Sequence, residues 1–172
     1  MTHGLKARAG AAAVAGAALA VLLVLLLLPA PSPATTFRQE APARALPASV
    51  ADGYTIDSID WDLAPRFTRH PAVYKRGARA KVAYALSSSG TDDYGDPYDG
   101  SVTCNVYVAV TRNGKFLSGA TLSADTNIDP GYCYVVHFKC PSKAGRYVFL
   151  LRAEHPDSGC QTDIAALRFR VR

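Results

Sequence analysis

The sequence lacks the short motifs that identify most hydrolases, metalloproteases and nucleotide-binding proteins. It has no Gly-x-Ser-x-Gly elbow, no His-Glu-x-x-His pair and no phosphate-binding glycine loop. Beyond the N-terminus the histidines are His70, His137 and His155, and no Ser-His-Asp set stands out around them. We therefore expect a protein that is not an enzyme.

Positive charge is not concentrated anywhere in the chain. Two of the 19 basic residues, Lys6 and Arg8, lie in the N-terminal segment, so the rest of the chain carries only a small positive excess over its 14 acidic residues. The densest basic stretch runs from Arg66 to Lys81 and is interrupted throughout, which indicates a solvated loop and strand face. Nucleic acid is therefore not an expected partner, and contact of this stretch with an anionic cell surface or polymer stays an open alternative.

Charge is entirely missing from Ala9 to Leu28, which follow a short basic N-terminus. A secretory signal has an apolar region of about 7–15 residues, whereas a membrane-spanning helix needs about 20. The length favours an anchor, but the first half is mostly Ala and Gly, and Ser32-Pro33-Ala34 offers a cleavage site. Residues 1–34 are thus predicted to be a hydrophobic helix that acts as signal peptide or signal anchor. In both cases the C-terminal part is exported, secreted or membrane-tethered, with a cytoplasmic N-terminus.

Residues 35–51 have no hydrophobic period and are rich in Pro and Ala. This composition predicts an extended spacer between the membrane and a domain. The domain itself is expected at residues 52–172, and about 120 residues suffice to bury one ordinary core.

The expected domain shows no amphipathic helical window, and its apolar residues instead alternate in short runs between turn signals. Asn113-Gly114 is the strongest of these signals, since both residues tolerate positive φ in a two-residue hairpin. The pattern predicts an all-β, antiparallel two-sheet sandwich of about seven strands. The runs are Tyr54–Trp61, Ala78–Leu86, Val102–Val110, Phe116–Ser123, Tyr134–Phe138, Tyr147–Leu151 and Ile164–Val171.

The stretch from Cys140 to Phe149, Cys-Pro-Ser-Lys-Ala-Gly-Arg-Tyr-Val-Phe, resembles the turn and penultimate strand of immunoglobulin-like and fibronectin type III-like modules. In those families a Gly-x-Tyr at this position forms a tyrosine corner, whose phenol bonds back to nearby backbone. The resemblance implies this role for Tyr147 and an Ig-like sandwich for the domain. The antibody Cys…Trp…Cys spacing is absent, because Trp61 lies in the first run.

Four cysteines in an exported chain predict two disulfides. Pairing of Cys133 with Cys140 is excluded if both lie on one extended strand, since seven residues far exceed disulfide reach. Side-chain parity places Cys104 and Cys140 inward and Cys133 outward, which favours Cys104–Cys140 with Cys133–Cys160. Strand direction instead places Cys104 and Cys133 at one end of the sandwich, beside the loop that holds Cys160.

The loops at that end carry the candidate ligand-binding residues. The loop from Ser87 to Gly100 mixes Tyr, Ser, Gly and Asp in the manner of an antibody paratope. The loop at His155–Gly159 is expected beside it. Ordinary solvated turns would have the same composition; if the loops bind a partner, the expected contacts are Tyr94, Asp96, Tyr98 and His155.

Calcium is a further possibility at the same loops, because carboxylate and amide oxygens are the ligands that Ca²⁺ prefers. The pattern Asp125-x-Asn127-x-Asp129 starts like an EF-hand loop, but its glycine comes one position late and no Glu closes it. An EF-hand is therefore ruled out, and a looser site between loops remains. Its candidate ligands are Asp92, Asp96, Asp125, Asn127 and Asp129.

The function expected from these features is an exported or tethered Ig-like module that binds a protein or a cell-envelope component through its loop end. Two alternatives stay open. One is a structural extracellular domain stabilised by calcium, and the other is a small inhibitor that presents a rigid loop to an extracellular protease.

Overall fold

The computed structural model describes residues 37–40, 54–98, 100–126 and 133–172. These residues form strands, turns and loops and contain no helix, which confirms the all-β prediction. The strands are β1 (Phe37–Glu40), β2 (Tyr54–Phe67), β3 (Val73–Tyr74), β4 (Arg79–Asp92), β5 (Thr103–Arg112), β6 (Lys115–Asp125), β7 (Tyr134–Lys139), β8 (Gly145–Glu154) and β9 (Ala165–Val171).

The strands pair into two sheets. One has four strands in the order β1-β7-β4-β2, and the other has five in the order β3-β9-β8-β5-β6. Every neighbouring pair is antiparallel except β3 and β9, which run parallel. Side chains alternate between core and surface along β7, β8 and β9. The buried side chains of both sheets form one hydrophobic cluster.

The Asn113-Gly114 hairpin joins β5 to β6 as predicted. Both residues have positive φ, 50° at Asn113 and 74° at Gly114. This backbone twist suits a two-residue hairpin and is easiest for Asn and Gly. The ladder runs from Thr103↔Asp125 to Arg112↔Lys115, so the hairpin sets the register of the longest alternating strand in the sequence.

The first strand, β1, comes from the segment that the sequence predicts to be a spacer. It pairs with β7 from Phe37↔Phe138 to Glu40↔Val135. β1 therefore forms one edge of the four-stranded sheet, whereas β2, the next described strand, forms the opposite edge. Four residues of the predicted spacer thus take part in the sandwich. Four residues carry too little periodicity to reveal a strand, and it is the unpaired backbone along β7 that gives them partners.

Phenylalanine rings join the two sheets at the centre of the core. Phe138 of β7 and Phe149 of β8 are buried and stack with their ring centroids 4.8 Å apart. Phe37, Phe67 and Phe169 pack around this pair at centroid distances of 5.6–6.4 Å. Such aromatic contacts stabilise a fold beyond the area they bury.

Tyr147 makes the hydrogen bond that the resemblance implies. Its hydroxyl donates to the backbone carbonyl of Lys143 at 2.6 Å, and its buried ring stacks on Phe169. The bond ties the turn before β8 to the strand itself.

The four cysteines are free thiols, and the predicted disulfides are not formed in this structure. Cys104 pairs across β5 and β6 with Ala124, next to Asp125, whose N–H donates to the phenol of Tyr134 at the start of β7. Cys140 follows the other end of β7. The length of that strand, about 20 Å, separates these two thiols and exceeds disulfide reach.

The second predicted pair is separated laterally. The thiol of Cys160 donates to the backbone carbonyls of Ile56 at 3.2 Å and Asp57 at 3.4 Å, both on the edge strand β2. Cys133 directly precedes β7, which β4 separates from β2. Cys133 does lie at the same end as Cys104, as strand direction predicts, but the two do not bond.

The predicted hydrophobic helix around Ala9–Leu28 lies outside the described residues, so its two interpretations remain predictions. Within the ranges that the structure describes, no helix is long and apolar enough to cross a membrane.

Truncating the central ring should destabilise the domain strongly. We expect Phe149→Ala to lower the free energy of unfolding by about 3–5 kcal/mol, because it removes a buried ring and leaves a cavity between the sheets. Leu117→Ala is the matched control: Leu117 is 45% exposed, and its loss should change stability by no more than about 0.5 kcal/mol. Urea denaturation measures both, and equal effects would contradict the packing described.

Thiol labelling should separate the cysteines by burial. Burial raises the pKa of Cys104 to about 12 and that of Cys140 to about 11. At pH 8 iodoacetamide should modify the half-buried Cys133 and Cys160 and spare Cys104 and Cys140 until the chain is unfolded, because the thiolate is the reactive form. Peptide mass spectrometry reads the sites.

The same pKa shifts give a stability effect of defined sign. The two thiols hold their protons more tightly in the fold than in the unfolded chain, where the pKa is near 9.0. The contribution of these two protonated thiols to the free energy of unfolding should therefore be complete below pH 9. It should decline as the pH rises from there toward 12. Rapid alkylation of Cys104 in the folded chain would contradict the burial and the raised pKa of this thiol.

Candidate functional site

The predicted loop end exists as a set of neighbouring turns. The β4–β5 loop, the end of β6 and the β8–β9 loop meet at one end, because Thr103 pairs with Asp125 and Asn105 pairs with Glu154. This arrangement agrees with the expectation from strand direction. Asp99, Asn127 and Asp129, which belong to the predicted loops, lie outside the described residues.

A tight turn presents Tyr94 to solvent. One carboxylate oxygen of Asp92 accepts hydrogen bonds from the backbone N–H groups of Tyr94 and Asp96, each at 2.9 Å. The N–H of Asp92 donates in turn to the carbonyl of Asp96 at 2.9 Å, and Gly95 takes positive φ, 84°. The Tyr94 side chain is 91% exposed. Local hydrogen bonds thus hold the backbone of the turn, while the Tyr94 ring points into solvent and does not pack on the core.

Tyr98 has a structural role at the same loop. Its ring contacts that of Tyr54 with centroids 4.1 Å apart, and its hydroxyl lies 3.3 Å from the carbonyl of Ser101, to which it donates. Its backbone N–H donates to the carbonyl of Gly90 at 2.8 Å. Tyr98 therefore closes the loop onto β2 and β4, and it is less free than Tyr94 to meet a partner.

His155 begins the turn between β8 and β9. Its Nδ1 accepts from the backbone N–H of Ser158 at 3.2 Å and lies 3.0 Å from the hydroxyl of the same residue. The ring is thus engaged within its own turn. Cys160, in the same loop, reaches Ile56 on β2, so this turn lies on the Tyr54 side of the loop end.

Two of the carboxylates proposed for calcium, those of Asp92 and Asp125, accept hydrogen bonds within the protein. Asp92 caps its own turn, and Asp125 accepts a hydrogen bond from the hydroxyl of Thr103 at 2.7 Å. In the parts of the chain that the structure describes, no group of three or more His, Cys, Asp or Glu side chains is placed to hold a metal ion. Asn127 and Asp129, the other two candidate ligands, lie outside the described residues, so the calcium site stays a prediction.

A second candidate site lies on the outer face of the four-stranded sheet. We call it the cationic hollow: a concavity of about 550 Å³ between β1, β7 and the start of β4. Three strands contribute to it in cross-strand register, since Arg38 faces His137 and His137 faces Lys81. Its lining residues are Arg38, Glu40, Gly77, Arg79, Lys81, His137, Phe138 and Lys139.

The charges of the cationic hollow are unbalanced. Four fixed positive charges face the single carboxylate of Glu40. Nε2 of His137 lies 3.0 Å from a carboxylate oxygen of Glu40, and the histidine side chain is only 13% exposed. The close contact with His137 lowers the pKa of Glu40, and the charges of Lys81 and Arg38 act in the same direction. Glu40 is therefore held as a carboxylate, and it leaves most of the positive charge of the hollow uncompensated.

The sequence alone did not reveal the cationic hollow. Arg79 and Lys81 belong to the stretch that the sequence predicts to be a solvated basic face, and no motif singles out His137. Arg38 and Lys139 come from distant parts of the chain. The available signal was the alternation in Arg38-x-Glu40, Arg79-x-Lys81 and His137-x-Lys139, because polar residues at every second position of three strands share a face. That alternation does not show which strands are neighbours in the sheet.

The other sheet also carries a basic hollow, of about 580 Å³, beside the Asn113-Gly114 turn. Arg146, Arg168 and Arg170 line it, and all three are exposed. It has no histidine–carboxylate pair. It therefore serves as a comparison for the effect of positive charge alone.

No protein-family model matches this chain, and neither does any curated protein. Among solved structures, the chain is similar to a β-glucosidase from Listeria innocua, with 10% identity and a TM-score of 0.37 over 64% of this chain and 16% of the glucosidase. It is also similar to AvmM, which catalyses macrocyclization in alchivemycin A biosynthesis, with 8% identity and a TM-score of 0.28 over 63% of this chain and 88% of AvmM. The chain thus spans only a small part of the glucosidase.

Proposed function

We propose that this protein is an exported, non-enzymatic binding module with an Ig-like sandwich, and that it holds a phosphate-bearing component of the cell envelope in the cationic hollow. The uncharged N-terminal segment supports export. The single observation that carries the binding proposal is the convergence of four fixed cations from three neighbouring strands on one concavity.

The strand orders support the Ig-like assignment. In immunoglobulin domains one sheet has the order A-B-E-D and the other contains C, F and G. Here β2, β4 and β7 take the positions of A, B and E, and β5, β8 and β9 take those of C, F and G. The bond from Tyr147 to Lys143 corresponds to the tyrosine corner of that fold. The position of strand D is taken by β1, although β1 comes first in the chain.

An anion is the ligand class that suits the cationic hollow. Lys and Arg donate charge-assisted hydrogen bonds to phosphate oxygens, and the alternation of the strands directs Arg38, Arg79, Lys81 and Lys139 to the same side. The carboxylate of Glu40 restricts the ligand, because an anion must approach the four cations without meeting it. A polymer with spaced phosphates fits an open sheet face better than a small buried ligand does.

Neutralising two cations of the hollow should weaken binding to inorganic polyphosphate. Each exposed ion pair contributes up to about 1 kcal/mol, so Arg79→Gln combined with Lys81→Gln should raise the dissociation constant by about tenfold. The affinity should also fall as salt is added, because exposed charges are screened. Titration calorimetry on the full chain measures both effects.

The matched control is Arg168→Gln combined with Arg170→Gln, which removes the same charge from the other sheet. This variant should keep near-normal affinity. Equal losses in the two double variants would show that binding follows net charge rather than the cationic hollow. Absence of polyphosphate binding by the unaltered chain would remove the support for a phosphate ligand.

A second candidate function is protein binding through the Tyr94 turn. It is favoured by one observation: a tyrosine with 91% exposure stands on a turn that is already held by Asp92. Rigid aromatic side chains of this kind provide contact area at low entropic cost. The protease-inhibitor and protein-recognition alternatives both use this turn.

Replacing Tyr94 by Ala should reduce capture of a protein partner from envelope extract by about thirtyfold, the effect of losing an aromatic hot spot. Stability should be unchanged, because the ring does not pack on the core. Leu117→Ala, an exposed apolar residue on β6, is the matched control. Unchanged capture by the Tyr94 variant would exclude this turn as the contact, and inhibition of proteases by the unaltered chain would identify the partner class.

A further inference from the structure

β1 is attached to the sandwich in an unusual way. It fills the position of strand D at the β7 edge, yet it precedes β2, which lies at the opposite edge. Among the residues that the structure describes between the end of β6 at Asp125 and the start of β7 at Tyr134, none forms a strand at that position. The four-stranded sheet is therefore completed by a short N-terminal segment that is joined to the domain through residues 41–53.

The chain between β1 and β2 has a long distance to cover. Glu40 pairs with Val135, which pairs with Ala83 of β4, whereas Tyr54 pairs with Asp92 at the far end of β4. At about 3.3 Å per residue along β4 and about 4.8 Å between strands, the two ends are about 33 Å apart. The connection spans at most about 50 Å when fully extended. It is thus long enough for β1 to reach a neighbouring molecule as well as its own domain.

β1 is held by specific side-chain contacts as well as by its backbone pairing with β7. Phe37 inserts its ring among Phe138 and Phe149, at centroid distances of 6.1 and 6.4 Å. The Gln39 amide accepts from the hydroxyl of Tyr84 at 2.7 Å and donates to the carbonyl of Ser123 at 2.6 Å, so it bridges both sheets.

The other two residues of β1 act on the outer face. Glu40 pairs with His137, and Arg38 lies opposite the same residue in the ladder. An aromatic side chain, an amide and a carboxylate are thus each matched by a partner on the body of the sandwich. This is the pattern of strand addition, in which backbone bonds provide affinity and side-chain contacts provide specificity.

We propose that β1 is an exchangeable strand, and that Phe37–Glu40 of one copy of this chain can dock on β7 of a second copy. A second copy is the expected occupant because its Phe37, Gln39 and Glu40 make the contacts described above without any change. In dilute solution the covalent connection gives each copy's own β1 a local concentration on the order of millimolar, so the closed monomer prevails. Exchange becomes competitive where copies are crowded, as on a surface that concentrates them.

Exchange has a consequence for the cationic hollow, which rests on the proposed function. Arg38 and Glu40 would come from one copy, and Arg79, Lys81 and Lys139 from the other. The site would then be composite, and a polymer bound there would contact two copies. Strand exchange itself does not depend on any ligand, and it is tested without one.

Cysteine trapping tests the exchange directly. One full-length chain carries Arg38→Cys and a second, differently tagged chain carries His137→Cys; these residues face each other in the β1–β7 ladder. After mixing at high concentration and mild oxidation, a mixed disulfide dimer should form, because cross-strand neighbours lie about 4.5–5.5 Å apart. Its yield should exceed that of the control mixture, Arg38→Cys with Asp60→Cys, by about tenfold. Asp60 lies on β2, at the opposite edge.

The native cysteines are shared by both mixtures, so their background cancels. A chain with both Arg38→Cys and His137→Cys should form the bond internally when dilute. Equal yields in the test and control mixtures would overturn the proposal, and so would failure of the doubly substituted chain to form its internal bond. Preferential trapping of a different protein by the His137→Cys chain would also overturn it, because the β7 edge would then belong to a foreign partner.

Shortening the connection provides a second test without cysteines. Deletion of residues 44–49 leaves a reach of about 28 Å, which is less than the span that docking within one chain requires. The shortened chain should be a dimer at concentrations where the unaltered chain is monomeric, and Phe37→Ala should abolish that dimer. A monomeric deletion variant, or a dimer that persists after Phe37→Ala, would contradict strand exchange. Light scattering reads the mass in each case.

Discussion

The stack of Phe138 on Phe149 is the contact on which the rest of the structure depends. It joins the two sheets, and it also decides which way neighbouring side chains point. Because Phe138 faces inward, His137 and Lys139 on either side of it must face outward, since side chains alternate along a strand. Ala80 is likewise buried, so Arg79 and Lys81 on either side of it face outward. The cationic hollow is therefore the outer counterpart of the hydrophobic core.

The two candidate binding surfaces differ in how the fold supports them. At the loop end, Asp92 holds a turn with bonds between residues a few positions apart, so the exposure of Tyr94 is a local property. The cationic hollow requires three strands in register, one of which is β1. Its charge therefore depends on whether and from where β1 docks. The tyrosine turn has no such dependence, because it lies in the connection between β4 and β5.

The cysteines illustrate where reasoning from sequence stopped. Parity correctly indicated that Cys104 and Cys140 face the core, and strand direction correctly indicated that Cys104 and Cys133 share one end. Neither parity nor strand direction indicates the distance between two thiols. Cys104 and Cys140 lie at opposite ends of β7, and Cys160 is turned toward the backbone of β2. The distances depended on how the two sheets are superposed, which no local pattern contains.

The sequence by itself determined the all-β class, the Asn113-Gly114 hairpin and the inward faces of the strands, and the family resemblance indicated the bond from Tyr147 back to the turn before β8. Each of these follows from residues within a few positions of one another, through alternation, turn geometry or a short hydrogen bond. Only the tertiary structure decided that Phe37–Glu40 is a strand, that Arg38, Lys81 and Lys139 meet, and that the thiols stay apart. The reason is physical: edge pairing and charge convergence depend on which strands become neighbours, and that is decided by packing between distant segments.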